Sequence, residues 1–345
     1  MKAYRVVSRV VSVFLFLSVL MAAFSFMPLA GEAATKLRMG HEMPENHPYH
    51  IGSVKFGDIL KEKTGGRIEV VVYPSGQLGN QKQLAEMVAA GQLDLCLVWQ
   101  GIMESYDKNT GVVSLPFIFD SWKHTWKVVD GPVGQEIFKP LEAKNIKVVT
   151  VFNNGLYNVV SRVPIKSPAD MKGIKLRVQP SAVFTETGQM LGAVVTPMAF
   201  GEVYSALQLG AIDAGIFGPI NIRKSKHYEV AKYTCQNEIS FLLEPMLMNA
   251  KTFNSLSKED QKAVLDAAHE AAVWQRKYAE EEEIRDTVFL KANGMQYYKA
   301  DKNQWRAATM PMYDKHPEWK ATVQKINALK KQRHRERSDL PGRLS

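Results

Sequence analysis

The sequence lacks the short motifs by which many enzyme classes are identified. It contains no P-loop, GxGxxG, HExxH, GxSxG or CxxC pattern. These absences weigh against phosphate-loop NTPases, dinucleotide-binding oxidoreductases, zinc peptidases, serine hydrolases with a nucleophile elbow and thiol oxidoreductases. An exported enzyme remains an alternative, but it would need a nucleophile–base pair or a metal-ligand set that this sequence does not display.

Cysteine is also scarce, since the chain has only Cys96 and Cys235. Their spacing fits no metal or redox motif. A disulfide is chemically possible in an exported protein, but both residues lie in apolar, strand-like sequence far apart in the chain. We therefore expect two small buried thiols.

Excess charge is confined to the two ends of the chain. The formal net charge is +9 over 345 residues, of which segment 1–34 contributes +2 and the basic tail 330–345 contributes +4. Residues 35–329 carry the remaining +3, so the folded part is nearly balanced. The high pI therefore gives no case for a nucleic-acid partner, and the tail is predicted to be disordered.

The first 34 residues have the pattern of a secretory signal peptide. Basic residues precede one long apolar run, and the small residues of "GEAAT" follow it. We expect cleavage after Ala33 or Ala34 and a soluble periplasmic protein. An uncleaved membrane anchor is the alternative, because the apolar run is about long enough to span a bilayer.

The mature sequence alternates strand-like and helical segments, which predicts an α/β fold with largely parallel strands. Two such units are present, around 36–99 and 146–217, with no Pro/Ser-rich linker between them. From Ser257 to about Ala292 the pattern is helical, with Ser257 as N-cap. A helix of that length spans about 50 Å, so we expect it to cross both units.

An arginine lies where α/β proteins bind ligands. In "GIKLRVQPSAVF", residues 173–184, apolar and polar residues alternate up to Pro180, and Ser181 follows as a predicted helix N-cap. Arg177 is therefore predicted near the carboxyl end of a strand, beside a helix N-terminus that favours an anion. Taken alone, the pattern favours a solvated basic residue on the polar face of an edge strand.

Three histidines, His41, His47 and His50, cluster early in the chain. Apart from Glu42 and Glu45 they have no neighbouring cysteine or carboxylate, so a metal site is the weaker interpretation. Surface or ligand-lining roles are favoured, and no cofactor is expected.

Five stretches, taken in order, resemble the solute-binding proteins of tripartite ATP-independent periplasmic (TRAP) transporters. They are "YPSGQLG", "MVAAGQLDL", "PIKSPADMKGIKLRV", "TPMAFGEVYSALQLGAIDA" and "KHYEVAKY". The resemblance runs from about Lys36 to about Asn327. It implies a two-lobed periplasmic-binding-protein fold with mixed, mostly parallel sheets and a long helix shared by both lobes.

The resemblance also implies lobe boundaries and partners. Lobe I would comprise 35–154 and 243–282, and lobe II 155–242 and 283–329, with hinges near 153–155 and 240–243. The protein would be a monomer that catalyses nothing. It would capture a small organic acid and deliver it to integral-membrane permease subunits, while a sensor for a membrane signalling partner is the alternative.

The family's site positions can be carried over one residue at a time. The arginine that clamps the substrate carboxylate corresponds to Arg177. A second arginine of many members is replaced by Tyr157, and their ligand-binding asparagine by Phe217. The other implied ligand-binding positions are Phe200, Trp99, Glu42 and Ser181.

These departures shape the expected ligand. One arginine in a partly aromatic pocket favours an aromatic or apolar monocarboxylate, since the second charge of a dicarboxylate would be buried without a partner. A C4-dicarboxylate or a sugar acid is the alternative.

Overall fold

The computed structural model describes the backbone of residues 34–338 and the side chains through Lys330. The predicted signal peptide lies outside the described residues apart from Ala34. Among the described residues, no helix is long and apolar enough to cross a membrane.

Nine strands form one mixed sheet within the described chain. They are β1 (Thr35–Gly40), β2 (Ile68–Tyr73), β3 (Leu95–Leu97), β4 (Ile146–Ser161), β5 (Lys175–Val178), β6 (Val194–Pro197), β7 (Ala214–Phe217), β8 (Tyr233–Asn249) and β9 (Gln296–Lys299).

The α-helices that the structure describes surround this sheet and are linked by short 3-10 segments. They are α1 (Pro48–Lys63), α2 (Gln81–Ala90), α3 (Trp122–Val129), α4 (Pro132–Phe138), α5 (Ala182–Met190), α6 (Val203–Leu209), α7 (Pro219–Lys224), α8 (Ala250–Ser255), α9 (Lys258–Ala292), α10 (Lys302–Thr309), α11 (Pro311–Lys315) and α12 (Lys320–Ser338).

The strand order is β2-β1-β3-β8-β4-β7-β5-β6, with β9 beside β8. Strands β1 and β3 are parallel, as are β5 with β6 and β5 with β7. The two long central strands, β4 and β8, are antiparallel to each other and to their neighbours β7 and β3. This arrangement places two parallel α/β groups on either side of a central antiparallel pair.

The sequence predicts two separate strands in "NIKVVTVFNNG" and "YNVVSRVPI". The structure instead has one central strand, β4, of 16 residues. The predicted break falls at a register shift, where Asn153 pairs with Leu243 and Leu156 pairs with Phe241. Gly155 lies inside this irregularity with a φ of 92°, a conformation that side chains disfavour. A local pattern of glycine and asparagine therefore marks a bulge here rather than a strand end.

The predicted long helix is confirmed as α9, with 35 residues. Its N-cap is Ser257, whose Oγ accepts a hydrogen bond from the Asp260 N–H at 3.0 Å. Buried alanines from Ala263 to Ala272 form the face that packs against α1 and β4. Gln275 then joins the helix to the bulge, because its side chain both accepts from the Asn153 N–H and donates to the Asn153 carbonyl, each at 2.8 Å.

Both cysteines are free and buried, as the sequence predicts. Cys96 is on β3 and Cys235 on β8. Burial raises the pKa of both thiols, that of Cys235 to about 12. Both are therefore protonated and unreactive packing residues.

The last helix, α12, enters the segment predicted to be a disordered tail, because its backbone is helical to Ser338. The physical reason is local: Ala328 to Arg335 are mostly good helix formers, and the next proline is Pro341. Residues 339–345 lie outside the described part of the chain.

A carboxyl group from α9 contacts the bulge of β4. The Leu156 N–H donates to Glu283 Oε1 at 3.1 Å, and a Cβ added at Gly155 would lie 3.4 Å from Glu283 Oε2. Burial, reinforced by Glu238 and Glu280, raises the pKa of Glu283 to about 7. The folded protein therefore holds a proton on Glu283 in a pH range where the unfolded chain has released it.

This difference predicts how stability changes with pH. Between pH 4.5 and 7 the native state binds more protons at Glu283 than the unfolded state, so the free energy of unfolding falls as pH rises. Relative to Glu283→Gln, the wild type should lose at most about 1.4 kcal/mol per pH unit across this window. Urea unfolding from pH 5 to pH 8 measures the difference. The buried histidines are present in both the wild type and Glu283→Gln, so their contributions to the pH dependence cancel in the difference.

The control is Glu281→Gln, an exposed carboxylate two residues away on the same helix. Its stability curve should run parallel to that of the wild type. Parallel curves for wild type and Glu283→Gln would show that Glu283 does not titrate differently in the folded state.

Candidate functional site

The structure places Arg177 at the carboxyl end of β5, between β6 and β7. The side chain is only 1% exposed, so it is not the solvated edge residue that the local pattern also allowed. Its Nε and Nη2 donate to the Met198 carbonyl at 3.1 and 2.8 Å. Its Nη1 is buried without a hydrogen-bond partner among the described residues.

The guanidinium of Arg177 is charged and lies between aromatic rings. Its Cζ is 5.5 Å from the ring centroid of Phe217 and 5.9 Å from that of Phe200. Burial lowers the pKa of Arg177 to about 10, while Tyr157, Glu42 and other acidic groups favour its charged form. The site therefore presents a buried cation whose Nη1 amino group has no hydrogen-bond partner among the described residues.

A cavity of about 100 Å³ adjoins this guanidinium. Its lining combines polar side chains, which we call the polar wall, with apolar and aromatic ones. The lining residues are Glu42, Asn80, Gln81, Lys82, Trp99, Ile102, Arg177, Gln179, Pro180, Ala199 and Phe200. Larger grooves lie elsewhere, among them one of about 530 Å³ between α3, α4, β4 and α9 and one of about 720 Å³ along α1 and α9, and neither contains Arg177.

Glu42 comes from the loop after β1 and lies on the polar wall. Burial raises the pKa of Glu42, opposed by a hydrogen bond from Gln81 and by the charge of Arg177. The neighbouring His41 is buried, and its Nε2 is 3.3 Å from His50 Nδ1. Burial and the adjacent His50 lower the pKa of His41 to about 3, so this imidazole is neutral.

The histidine cluster does not form a metal centre among the residues that the structure describes. His47 is the N-cap of α1, where its Nδ1 accepts from the Tyr49 N–H at 3.2 Å. Burial lowers the pKa of His47 well below its usual value. His41 and His47 are therefore neutral, buried side chains, whereas His50 is half-buried.

Ser181 is the N-cap of α5, as predicted, with its Oγ accepting from the Phe184 N–H at 3.2 Å. The anion at this helix N-terminus is the protein's own Glu104. The Ser181 hydroxyl donates to Glu104 Oε1 at 2.8 Å, and the Ala182 N–H donates to Oε2 at 3.0 Å. The Glu104 carboxylate therefore already accepts the hydrogen bonds of the Ser181 hydroxyl and the Ala182 N–H. A ligand role for Ser181 stays a prediction.

The four predicted aromatic positions differ in their placement. Trp99 and Phe200 line the cavity. Phe217 lies behind Arg177 and is fully buried, whereas Tyr157 is buried on β4 and its hydroxyl accepts from Asn154 Nδ2 at 3.3 Å. These two are outside the cavity lining, so their contact with a ligand stays a prediction.

Other residues of this region were not identified from the sequence. Gln179 lines the cavity and lies two residues after Arg177, just beyond the end of β5. Asn154 and Glu244 are 2% and 1% exposed, and Asn154 Nδ2 donates to Glu244 Oε1 at 3.1 Å. A signal for Glu244 was present, because it is the single charged residue in the apolar run "SFLLEPMLMN".

Comparison with known proteins identifies the class to which this architecture belongs. Residues 39–319 match the model of the bacterial extracellular solute-binding protein family 7, DctP. The 2,3-diketo-L-gulonate-binding periplasmic protein YiaO of Escherichia coli is 33% identical over 278 residues, which is 80% of this chain and 84% of that protein.

Solved structures show the same fold. A TRAP periplasmic solute-binding protein from Roseobacter denitrificans with bound β-D-glucuronate has a TM-score of 0.82 and 31% identity, covering 85% of this chain and 99% of that one. The sugar-acid-binding protein DctPAm from Advenella mimigardefordensis, in complex with galactonate, has a TM-score of 0.83 and 26% identity, covering 86% and 98%.

The chain therefore belongs to the DctP family of extracellular solute-binding proteins and is a TRAP-type solute receptor. This confirms the resemblance seen in the sequence and the two-lobed α/β fold class that it implied. Members of this class bind small acids in the periplasm and work with membrane permeases, and binding rather than catalysis is the family role.

Proposed function

We propose that this receptor binds a polyhydroxylated monocarboxylic acid, an aldonate or a hexuronate, and delivers it to a TRAP permease. The observation that carries the proposal is the buried Arg177 guanidinium, whose Nη1 has no hydrogen-bond partner among the described residues. A charged donor buried in this way calls for an anionic partner, and a carboxylate provides one.

The mixture of polar and apolar side chains in the cavity lining supports a sugar acid as the ligand. A sugar presents C–H groups on the faces of its ring or chain and hydroxyl groups at its edges. Trp99 and Phe200 offer apolar surface to the former, while Glu42, Gln81 and Gln179 offer hydrogen-bonding groups to the latter. The solved relatives with bound glucuronate and galactonate agree with this assignment.

The aromatic or apolar ligand expected from the sequence is not supported. That expectation needed four aromatic residues around the ligand, whereas only Trp99 and Phe200 line the cavity. An apolar body would leave Glu42 and Gln179 buried against carbon, which is unfavourable for polar groups. The sugar acid, which was the alternative, fits the wall better.

A C4-dicarboxylate fits less well than a monocarboxylate. The carboxylates of Glu42 and Glu202 both lie within electrostatic reach of Arg177. A second ligand carboxylate would therefore approach negative charge after the first has neutralised the guanidinium, and like charges in a buried site repel strongly.

We further propose that the mature protein begins after Ala33 or Ala34, acts as a monomer and closes its two lobes on the ligand. The lobes would meet at the central strands, with 35–154 and 243–282 on one side and 155–242 and 283–329 on the other. The bulge at Gly155 and the long helix α9 are the connecting elements that support a hinge here.

The ligand class is tested by thermal unfolding against a panel of acids. The panel comprises D-galactonate, D-glucuronate, succinate, malate, phenylacetate and a branched 2-oxo acid. A ligand at a hundred times its dissociation constant adds about 2.7 kcal/mol of stability, which raises the melting temperature by about 2–4 °C per kcal/mol. We expect the largest shift with a sugar acid, and a larger shift with phenylacetate or succinate would refute the assignment.

Arg177 is tested by calorimetry with the best sugar acid. Arg177→Ala should lower affinity by at least a hundredfold, because a charge-assisted pair in a closed cleft is lost. Arg177→Lys should also bind weakly, since an ammonium cannot reproduce the planar fork. The matched control is Arg162→Lys, at the end of β4, where an exposed guanidinium lies 3.9 Å from Asp213.

The control variant should bind as the wild type does. All variants should give wild-type circular dichroism spectra. Near-normal affinity in a folded Arg177→Ala protein would remove Arg177 from the site.

A further inference from the structure

We propose that Glu244 and Asn154 form a second recognition point, which binds a hydroxyl group at the end of the ligand opposite its carboxylate. This inference rests on the proposed function, because it assigns the specificity of the same site. It makes Glu244 and Asn154 specificity-determining residues, while Arg177 provides the anchor common to all carboxylates.

The two residues come from the central strand pair. Glu244 lies on β8 opposite Phe152 of β4, and Asn154 lies two residues further along β4, at the bulge. Their side chains are joined by the bond from Asn154 Nδ2 to Glu244 Oε1 at 3.1 Å. The strand register therefore brings together two polar side chains that are 90 residues apart in the chain.

Each residue keeps one buried oxygen without a hydrogen-bond partner. Glu244 Oε2 and Asn154 Oδ1 have no partner in the described part of the protein, and we call these two atoms the open oxygens. Leaving buried polar atoms unpaired is unfavourable. Two such atoms on side chains that are hydrogen-bonded to each other indicate that a polar group from outside the protein pairs with them.

Contacts connect this pair to the cavity beside Arg177. Asn154 Nδ2 also donates to the Tyr157 hydroxyl, which is hydrogen-bonded to Gln179 on the cavity wall. On the other side, the carboxylate of Glu42, another lining residue, acts electrostatically on Glu244. The pair is therefore linked through the Tyr157 hydroxyl to Gln179, a residue that lines the cavity beside Arg177.

The chemistry of the pair favours a hydroxyl group over a charged group. Burial and the nearby Glu42 raise the pKa of Glu244 well above its usual value, so the carboxyl is neutral. A neutral carboxyl both donates and accepts a hydrogen bond, as a hydroxyl does, and the amide oxygen of Asn154 accepts one more. A second ligand carboxylate finds no cation here, whereas a ligand hydroxyl can satisfy the open oxygens.

The test compares a long and a short ligand that share the carboxylate and the neighbouring hydroxyl. Calorimetry measures the affinities for D-galactonate, which has six carbons, and D-glycerate, which has three. Where direct binding of one acid is too weak to titrate, its affinity is measured by competition with the tighter ligand. Glu244→Leu should lower the affinity for galactonate by about tenfold or more and change that for glycerate by less than twofold. Glu244→Gln, which keeps a donor and an acceptor, should retain galactonate binding within a few-fold.

Asn154→Ala provides a second readout if Glu244→Leu fails to fold. It should also lower the ratio of the affinity for galactonate to the affinity for glycerate. The control is Glu238→Gln on the same strand, whose carboxylate pairs with Lys302. It should leave the ratio unchanged.

The outcomes separate this inference from the proposed function. A wild type that binds neither of these acids nor D-glucuronate overturns the proposed function, and this inference with it. The inference alone is overturned if the wild type binds galactonate and the folded variants Glu244→Leu and Asn154→Ala lose affinity equally for both ligands, or for neither. In that case the open oxygens hold a water molecule.

Discussion

The structure is organised around a buried arginine whose charge the protein does not neutralise by direct pairing. The Arg177 side chain donates to the backbone carbonyl of Met198 and lies against two aromatic rings, but it contacts no carboxylate among the described residues. Removing a guanidinium from water without an ion pair is unfavourable. The free energy for holding it there comes from the surrounding fold. In the proposed complex a carboxylate ligand recovers part of it, and the same feature makes the proposed site selective for anions.

The fold supplies a rigid support for that arrangement. Strand β5 is hydrogen-bonded on both sides, which fixes the direction of Arg177. Glu104 satisfies the N-terminus of α5, and so holds the turn that follows the arginine strand against the wall containing Ile102. The regular strand geometry is interrupted at another place, the bulge in β4, where Gly155 has a positive φ and Glu283 of α9 accepts from the Leu156 N–H.

The sequence was sufficient for features that depend on neighbours along the chain. Alternation up to Pro180 located Arg177 at a strand end, Ser181 and Ser257 were recognisable as helix caps, and the long helix followed from its periodicity. Features that depend on pairing between distant segments were not predictable. Glu104 meets Ser181 across 77 residues, and no local pattern distinguishes that contact from an exposed carboxylate.

The aromatic residues show the same limit in another form. Sequence similarity placed Tyr157 and Phe217 at family ligand positions, but whether a ring faces the ligand or the core depends on side-chain packing. Phe217 supports the guanidinium from behind, and Tyr157 joins a polar network with Asn154. The expected ligand changed accordingly from an apolar acid to a hydroxylated one.

The most direct test of this account is a crystal structure of the protein with D-galactonate. The account predicts one carboxylate oxygen of the ligand within about 3.2 Å of Arg177 Nη1, with its carbon chain between Phe200 and the polar wall of Glu42 and Gln179. A ligand bound in the cleft with its carboxylate held by other residues, and Arg177 Nη1 still without an anionic partner, would contradict it.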